Sequence, residues 1–114
     1  MLSPLEIATN AAKALDEKKG KELKILKVEE LTTLANYFVI CTATSSTHIK
    51  TLSDEIEKDL ELLGEPVRRK EGLRSGGWVL LDYGCVVVHI FLEEIREFYN
   101  LERLWADGQE VAFG

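Results

Sequence analysis

The longest pattern of apolar positions in the chain lies between residues 78 and 92. It consists of two strand-length apolar runs joined at Asp82, Tyr83 and Gly84, which predicts a β-hairpin. The second run, residues 85–92, is interrupted only by His89, a pattern typical of a strand that is covered on both faces in the middle of a sheet. This hairpin is therefore predicted to form the centre of the core.

Three segments have helical periodicity. Ser3 and Glu6 form a capping box with a proline between them, which predicts a helix that ends near residue 19. A second helix is predicted from the caps at Ser45 and Ser46 to Gly64, because its apolar residues recur at intervals of three and four. After residue 92 a third helix is predicted from the shared face of Ile95, Phe98, Leu101, Leu104 and Trp105.

Three further segments have the pattern of strands. Residues 23–28 alternate with a slip in phase, which predicts an outer strand with a bulge, and residues 37–44 form a continuous apolar run typical of a central strand. Residues 66–70 begin with proline and are rich in charge, as edge strands are. With the hairpin, these segments predict an α/β fold with a mixed five-stranded sheet and helices packed on it. If the strands at 37–44 and 66–70 run parallel, the helix between them forms a right-handed βαβ unit.

Length and composition restrict the class of protein. A chain of 114 residues with 46% hydrophobic content is enough for one domain, residues 1–114, with a core of its own. Its net charge of -6 favours a partner with a basic surface over bare nucleic acid. Without a signal-peptide pattern or an apolar run of about 20 residues, the chain is expected to be soluble and cytoplasmic. Cys41 and Cys85 lie in apolar runs and are expected to remain free thiols.

Few residues are arranged for chemistry. Residues 44–48 follow a strand and open a helix, where anions can bind, but the segment contains no glycine, so helix capping is the favoured interpretation. The cysteines and histidines lack metal-ligand spacing, and no nucleophile motif is present. No pair of carboxylates lies on one strand at the spacing that holds two metal ions. The sequence therefore predicts no catalytic residue, no metal and no cofactor.

His89 and the basic residues 68–70 each have two interpretations. A histidine in an apolar strand either forms a hydrogen bond within the core or faces a polar opening, and the first is the commoner case. The basic run 68–70 is more typical of a solvated edge strand than of a nucleic-acid site. The acidic C-terminal part of the chain, in contrast, suits a basic protein partner.

The two aromatic residues of the hairpin are candidates for an interface. Alternation places Trp78 and Asp82 on one face of the first strand, and Leu81 and Tyr83 on the other. At least one of the two aromatic side chains is expected to lie at a rim of the sheet, where tryptophan and tyrosine commonly anchor partners. A tryptophan packed under a helix is the structural alternative.

Five blocks of the sequence carry a family resemblance: YFVICTATS at residues 37–45, His48, WVLLDYG at residues 78–84, VVVHIF at residues 86–91 and REFYNLERLW at residues 96–105. In order and spacing they resemble the ribosomal silencing factor family, also called the Iojap family. The resemblance covers nearly the whole chain. It implies a nucleotidyltransferase-like α/β fold that is used without enzymatic activity.

The resemblance also implies a function. Family members bind the large ribosomal subunit through its ribosomal protein fourteen, on the face that meets the small subunit, and so slow translation when nutrients are scarce. They are often dimers in isolation. The resemblance implies that Trp78 and Tyr83 anchor the partner, that Asp82 lies beside them, and that Leu81 and His89 support the surface.

Three positions depart from the family pattern. A usual acid, a usual glycine and a usual aspartate are replaced by Asn36, Ala43 and Cys85, respectively. The loss of the last acid either weakens a contact with a basic partner or concerns a purely structural position.

Two other classes of function remain open from the sequence. A nucleotide-handling enzyme of the same fold would need a glycine-serine turn and paired aspartates, whereas this chain has Ala43, Thr44 and Ser45 at the turn and no Asp-x-Asp motif. A self-associating scaffold would bury Trp78 and Tyr83 in a homodimer interface.

Overall fold

The computed structural model of the protein describes residues 2–30, 33, 35–72, 77–95 and 109–111. Its elements follow in the order α1 (Pro4–Glu17), β1 (Lys21–Lys27), β2 (Tyr37–Ala43), α2 (Ser46–Leu62), β3 (Arg69–Glu71), β4 (Trp78–Asp82), β5 (Val86–Leu92) and β6 (Gln109–Val111). Residues 93–95 are helical and follow β5 directly. The predicted third helix thus begins where expected, and the rest of it lies outside the described residues.

The six strands form one mixed sheet in the order β3-β4-β5-β2-β1-β6. β2 and β5 pair in parallel, and all other neighbours are antiparallel. β2 and β3 therefore point the same way but are separated by β4 and β5, so α2 connects two strands that are not neighbours. The predicted α/β fold, with five strands in a mixed sheet and helices packed on it, is confirmed, and β6 adds a sixth strand of three residues.

The helices begin at the predicted caps. The Ser3 hydroxyl accepts a hydrogen bond from the backbone N–H of Glu6 at 3.1 Å, and the Glu6 carboxylate accepts one from the backbone N–H of Ser3 at 3.0 Å. This reciprocal pair satisfies two N–H groups at the start of α1. The Ser45 hydroxyl accepts a hydrogen bond from the backbone N–H of His48 at 3.1 Å and so caps α2.

The two faces of the sheet are covered differently. On one side, which we call the helix face, α1 and α2 pack on a large cluster in which Val39, Leu81 and Ile90 are fully or almost fully buried. On the opposite side, which we call the distal face, a smaller cluster consists of Leu26, Val28, Ala35, Phe38, Ile40 and Phe91, with Trp78, Val87 and Ile95 packed against it. Both faces of β2 and β5 are therefore buried, as their continuous apolar runs predicted.

The strands at the two edges of the sheet agree with the predictions only in part. The bulge in β1 is confirmed, because the pairing with β2 shifts between Lys21 and Lys24 and Glu22 has a positive φ of 47°. The prediction that β1 is an outer strand is wrong, since β6 pairs along its other side. Three residues are too few for an alternating pattern, so the sequence does not reveal β6. β3 is an edge strand as predicted, but it begins at Arg69 rather than at Pro66.

The two cysteines are free, as expected. The parallel register pairs Cys41 with Ile90 of β5, and Cys85 lies five residues before Ile90, just ahead of the strand. At roughly 3.3 Å per residue, this separation is far greater than the roughly 7 Å between Cα atoms that a disulfide can bridge.

The helices α1 and α2 are amphipathic, each with one buried side. In the part of the chain that the structure describes, no helix combines the length and the apolar composition that crossing a membrane requires.

Candidate partner-binding surface

The hairpin between β4 and β5 has a tight turn that is held by hydrogen bonds. The backbone N–H of Tyr83 donates to the carbonyl of Val86 at 2.9 Å, and the Asp82 carboxylate accepts from the backbone N–H of Gly84 at 2.7 Å. Gly84 has a φ of 86°, a conformation that side chains with a Cβ rarely adopt. Asp82 is thus required by the turn, in addition to any contact it makes with a partner.

The five candidate residues of the hairpin are divided between the two faces of the sheet. Leu81 and Tyr83 point to the helix face, where they are 0% and 4% exposed. Trp78, Asp82 and His89 lie on the distal face. The prediction that the Tyr83 ring stands outward as an anchor is therefore wrong, because α2 and the core cover it, and Leu81 is likewise inaccessible in the monomer.

Burial also determines the chemistry of Tyr83. Its hydroxyl forms no hydrogen bond with the described residues. Burial raises the pKa of Tyr83, and the nearby carboxylates of Glu57 and Glu61 in α2 raise it further. Tyr83 therefore remains a neutral, structural side chain under the helix.

Aromatic rings form a continuous row along the distal face. Trp78 stacks on Phe91 with a centroid distance of 6.2 Å, and Phe91 lies parallel to His89 at 6.0 Å. Phe38 of β2 meets His89 edge-on at 5.2 Å. The row crosses three neighbouring strands, so the position of each ring depends on the strand register. Trp78, at the end of the row, remains partly exposed.

His89 is the exceptional polar group of this row. It is 7% exposed, and neither ring nitrogen forms a hydrogen bond with any described residue. Burial lowers the pKa of His89 to about 4, so the imidazole is neutral at pH 7. The interpretation of His89 as a hydrogen-bonded core histidine is therefore wrong, and the alternative, that it faces an opening, agrees with the structure.

That opening is a groove of about 360 Å³ beside the hairpin turn, which we call the hairpin groove. Its walls are apolar at the centre and charged at the rim, and its lining consists of Phe38, Arg68, Arg69, Leu80, Asp82, Gly84, Val87 and His89. The groove brings together His89 and Asp82, two of the predicted residues. Trp78 lies further along the same face, at the other end of β4.

The rim of the groove contains two arginines. Arg69 is 3.7 Å from the Asp82 carboxylate and 3.6 Å from the Glu71 carboxylate. Arg68 lies over the hairpin turn, since a Cβ at Gly84 would come within 3.0 Å of its guanidinium carbon. The interpretation of residues 68–70 as a purely solvated edge did not anticipate these positions. Alternation along β4 places Leu80 on the same face as Trp78, so the sequence indicates this part of the lining. The position of Arg69 at the groove depends on the pairing of β3 with β4, which sets Arg69 opposite Asp82.

Hydrogen bonds within the domain engage the helix-opening segment at residues 44–48. Besides the cap from Ser45, the Nδ1 atom of His48 accepts a hydrogen bond from the backbone N–H of Thr44 at 2.9 Å. The other ring nitrogen, Nε2, is 2.8 Å from the carbonyl of Lys18 at the end of α1. The capping interpretation is confirmed. Elsewhere in the described residues, no group of three or more His, Cys, Asp or Glu is placed to hold a metal ion.

The fold and the groove define a small α/β domain whose sheet is packed under two helices on one face and carries a lined groove on the other. The family model described as "Ribosomal silencing factor during starvation" matches residues 2–113. The chain therefore belongs to the ribosomal silencing factor (RsfS) family, which confirms the resemblance and makes it a member of a group of ribosome-associated translation regulators.

Individual relatives agree with this assignment. The ribosomal silencing factor RsfS of Halalkalibacterium halodurans is 34% identical over 110 residues, which are 96% of this chain and 94% of the relative. The chloroplastic protein Iojap of Zea mays is 36% identical over 110 residues, 94% of this chain and 46% of the relative. A crystal structure of a Chromobacterium violaceum protein aligns with a TM-score of 0.89 and 35% identity, covering 99% of this chain and 93% of that chain.

Proposed function

We propose that this protein represses translation in the cytoplasm by binding the large ribosomal subunit through its ribosomal protein fourteen and blocking the joining of the small subunit. We further propose that it docks through the distal face of the hairpin, with Trp78 as the apolar anchor and with His89 and Asp82 in the groove. Leu81 and Tyr83 support this surface from below.

One observation carries the choice of surface. His89 is buried, neutral and without a hydrogen bond to any described residue, and it lines a groove. A buried imidazole without a partner costs free energy, which a stabilising core position would not require. A partner that enters the groove would supply the missing hydrogen bond. Trp78, partly exposed on the same face, has the size and polarity of residues that dominate binding energy at interfaces.

The proposed mechanism requires occupancy rather than chemistry. A body of 12.9 kDa that covers part of the intersubunit face excludes the small subunit by volume. The fraction of blocked subunits then follows from the affinity and concentration of the protein. In this mechanism the domain needs no cofactor.

Co-sedimentation with isolated large subunits tests the docking surface. Trp78→Ala should weaken binding by about 2 kcal/mol, or roughly 30-fold in Kd, because it removes the apolar anchor. Leu62→Ala is the matched control, since it removes an exposed apolar side chain of α2, on the opposite side of the sheet, and should leave the affinity unchanged. Circular dichroism confirms that both variants are folded.

The possible outcomes test the docking surface and the proposed function separately. If Trp78→Ala pellets as the wild type does, the hairpin is not the docking site. If the wild type itself does not pellet with large subunits, the proposed function is wrong. A light-scattering assay of subunit joining, with increasing wild-type protein, then tests whether binding blocks association.

We also expect isolated chains to form homodimers through the same distal face. A shared surface makes the two associations compete, so the dimer fraction should fall when large subunits are added. Static light scattering of the free protein, and cross-linking of the dimer with and without large subunits, measure this competition. A dimer that persists on the ribosome would place self-association on another surface.

A further inference from the structure

The charge of the hairpin groove is opposite to that of the chain. The whole protein has a net charge of -6, whereas the groove is lined by two arginines, one aspartate and a neutral histidine. A basic partner is attracted at long range by the acidic protein, but it meets a locally positive groove on contact. The groove is therefore suited to a negatively charged group on that partner.

The carboxylates near the groove balance the charge of only one of its two arginines. One carboxylate oxygen of Asp82 accepts the backbone N–H of Gly84, and the other is 3.7 Å from Arg69. Arg69 is shared further with Glu71. The rim thus holds one arginine that is already engaged with carboxylates and one, Arg68, whose guanidinium forms no ion pair with any described residue.

The guanidinium of Arg68, an exposed residue, lies beside the hairpin turn. The Arg68 backbone N–H donates to the Asp82 carbonyl at 2.8 Å, which fixes the residue beside the hairpin. The guanidinium then lies against Gly84, where any side chain would bring a Cβ within 3.0 Å of it. Because Gly84 has no Cβ, the turn leaves room for the guanidinium of Arg68, which lines the groove.

His89 is a second donor in the same groove. The residue is 7% exposed, its ring lies between Phe38 and Phe91, and neither nitrogen has a hydrogen-bond partner among the described residues. A neutral imidazole carries one N–H, and an incoming carboxylate is the acceptor that forms the strongest hydrogen bond with it. Arg68 and His89 line the same groove, and each carries N–H donors that a carboxylate can accept.

We propose that the hairpin groove binds an acidic side chain, an aspartate or glutamate of the protein partner, whose carboxylate pairs with Arg68 and accepts a hydrogen bond from His89. This inference rests on the proposed docking function, and it adds a local contact of the opposite sign to the overall attraction for a basic partner. Such a contact would fix the register of docking, since only a partner with an acid at this position would satisfy His89.

A charge reversal at Arg68 tests the proposal by co-sedimentation with isolated large subunits. Arg68→Glu should weaken binding about tenfold or more, because it places a carboxylate against the incoming one. Lys13→Glu is the matched control, since it changes the net charge by the same amount at an exposed position on α1, on the other side of the sheet. Long-range attraction predicts that both reversals tighten binding to a basic partner.

A carbodiimide cross-link identifies the group in the groove. Arg68→Lys keeps the positive charge and supplies a primary amine, which carbodiimide couples to an adjacent carboxylate of the bound large subunit. An amide bond between position 68 and a partner aspartate or glutamate, found by mass spectrometry, supports the proposal.

The other outcomes overturn it in distinguishable ways. If the wild type binds and Arg68→Glu binds equally or more tightly, the subsite is wrong while the docking function stands. If Arg68→Glu weakens binding but Arg68→Lys binds without forming a cross-link, the assignment of a carboxylate is wrong, and a phosphate of ribosomal RNA becomes the candidate for the group in the groove. If the wild type does not bind large subunits, the proposed function fails and the subsite fails with it.

Discussion

The two faces of the β4–β5 hairpin use side chains of similar size in opposite ways. On the helix face, Leu81 and Tyr83 are buried under α2 in an almost entirely apolar cluster. On the distal face, Trp78 and Leu80 are only partly buried, and His89 of the neighbouring strand is buried without a hydrogen bond among the described residues. The first arrangement stabilises the domain, whereas the second leaves the His89 imidazole without a hydrogen bond among the described residues and leaves apolar surface partly exposed.

This difference shows how one hairpin can serve stability and binding together. Residues that alternate along a strand point to different environments. The side chains of one hairpin can therefore complete the core on one face of the sheet and remain available to a partner on the other. Unsatisfied buried groups are uncommon in native proteins and are retained where they have a role. The division predicts that substitutions on the two faces will affect stability and binding separately.

Leu81→Ala should have the largest effect on stability. Leu81 is 0% exposed, so its truncation leaves a cavity under α2 and should lower the free energy of unfolding by about 3 kcal/mol. Urea denaturation followed by circular dichroism measures this loss. A change below about 1 kcal/mol would contradict the division between the faces, because it would mean that the helix face tolerates truncation as an exposed surface does.

His89→Phe should raise the free energy of unfolding relative to the wild type, and the gain should increase as the pH falls. The pKa of His89 is lowered from 6.5 to about 4 by burial, so below pH 6.5 the unfolded chain binds a proton that the folded chain does not. The wild type should therefore lose stability as the pH falls from about 6.5 to about 4, with about 2 kcal/mol lost by pH 5 from this residue. Phenylalanine cannot be protonated and removes this loss.

The measurement compares urea denaturation of the wild type and His89→Phe at pH 7 and pH 5. The carboxylates titrate in both proteins, so the difference between the two isolates His89. We expect His89→Phe to be at least as stable as the wild type at pH 7, since it removes a buried polar group without a partner. Equal pH dependence of the two proteins would show that His89 is not kept neutral by burial.

Tyr83→Phe should have the smallest effect, a gain of about 1 kcal/mol in the free energy of unfolding. The Tyr83 hydroxyl is buried and forms no hydrogen bond with the described residues, so its removal relieves a desolvation cost. The midpoint of urea denaturation measures the gain, and co-sedimentation with large subunits should be unchanged. A clear loss of stability would show that the hydroxyl has a hydrogen-bond partner in the folded protein. Weaker binding would show that the hydroxyl contacts the large subunit.

Much of the fold could be predicted from local patterns. The caps at Ser3 and Ser45, the bulge in β1 and the continuous apolar runs of β2 and β5 all depend on residues that are close together in the sequence. Such features follow from local hydrogen bonding and from the periodicity of burial. Alternation likewise placed Trp78 and Tyr83 on opposite faces.

The candidate site was less accessible to prediction, because it depends on strand pairing. The sequence does not state that β5 lies between β4 and β2, and only this order brings Phe38, His89 and Trp78 into one row. The role of Arg68 depends on its distance to Gly84, which is 16 residues away in the chain. Alternation does not reveal which face α2 covers, so it could not correct the resemblance, which implies that Tyr83 is an anchor.

The parallel pairing of β2 with β5 has a consequence for how the chain reaches its native state. Tyr37 pairs with Val86 and Ala43 with Leu92, so partners in the centre of the sheet are separated by 49 positions. All seven residues of β2 are buried in the folded protein. A growing polypeptide that has not yet been synthesised to residue 92 can pair β2 with β1 but must leave the other edge of β2 without its partner. Folding is therefore expected to be slow and to finish only after β5 has been synthesised.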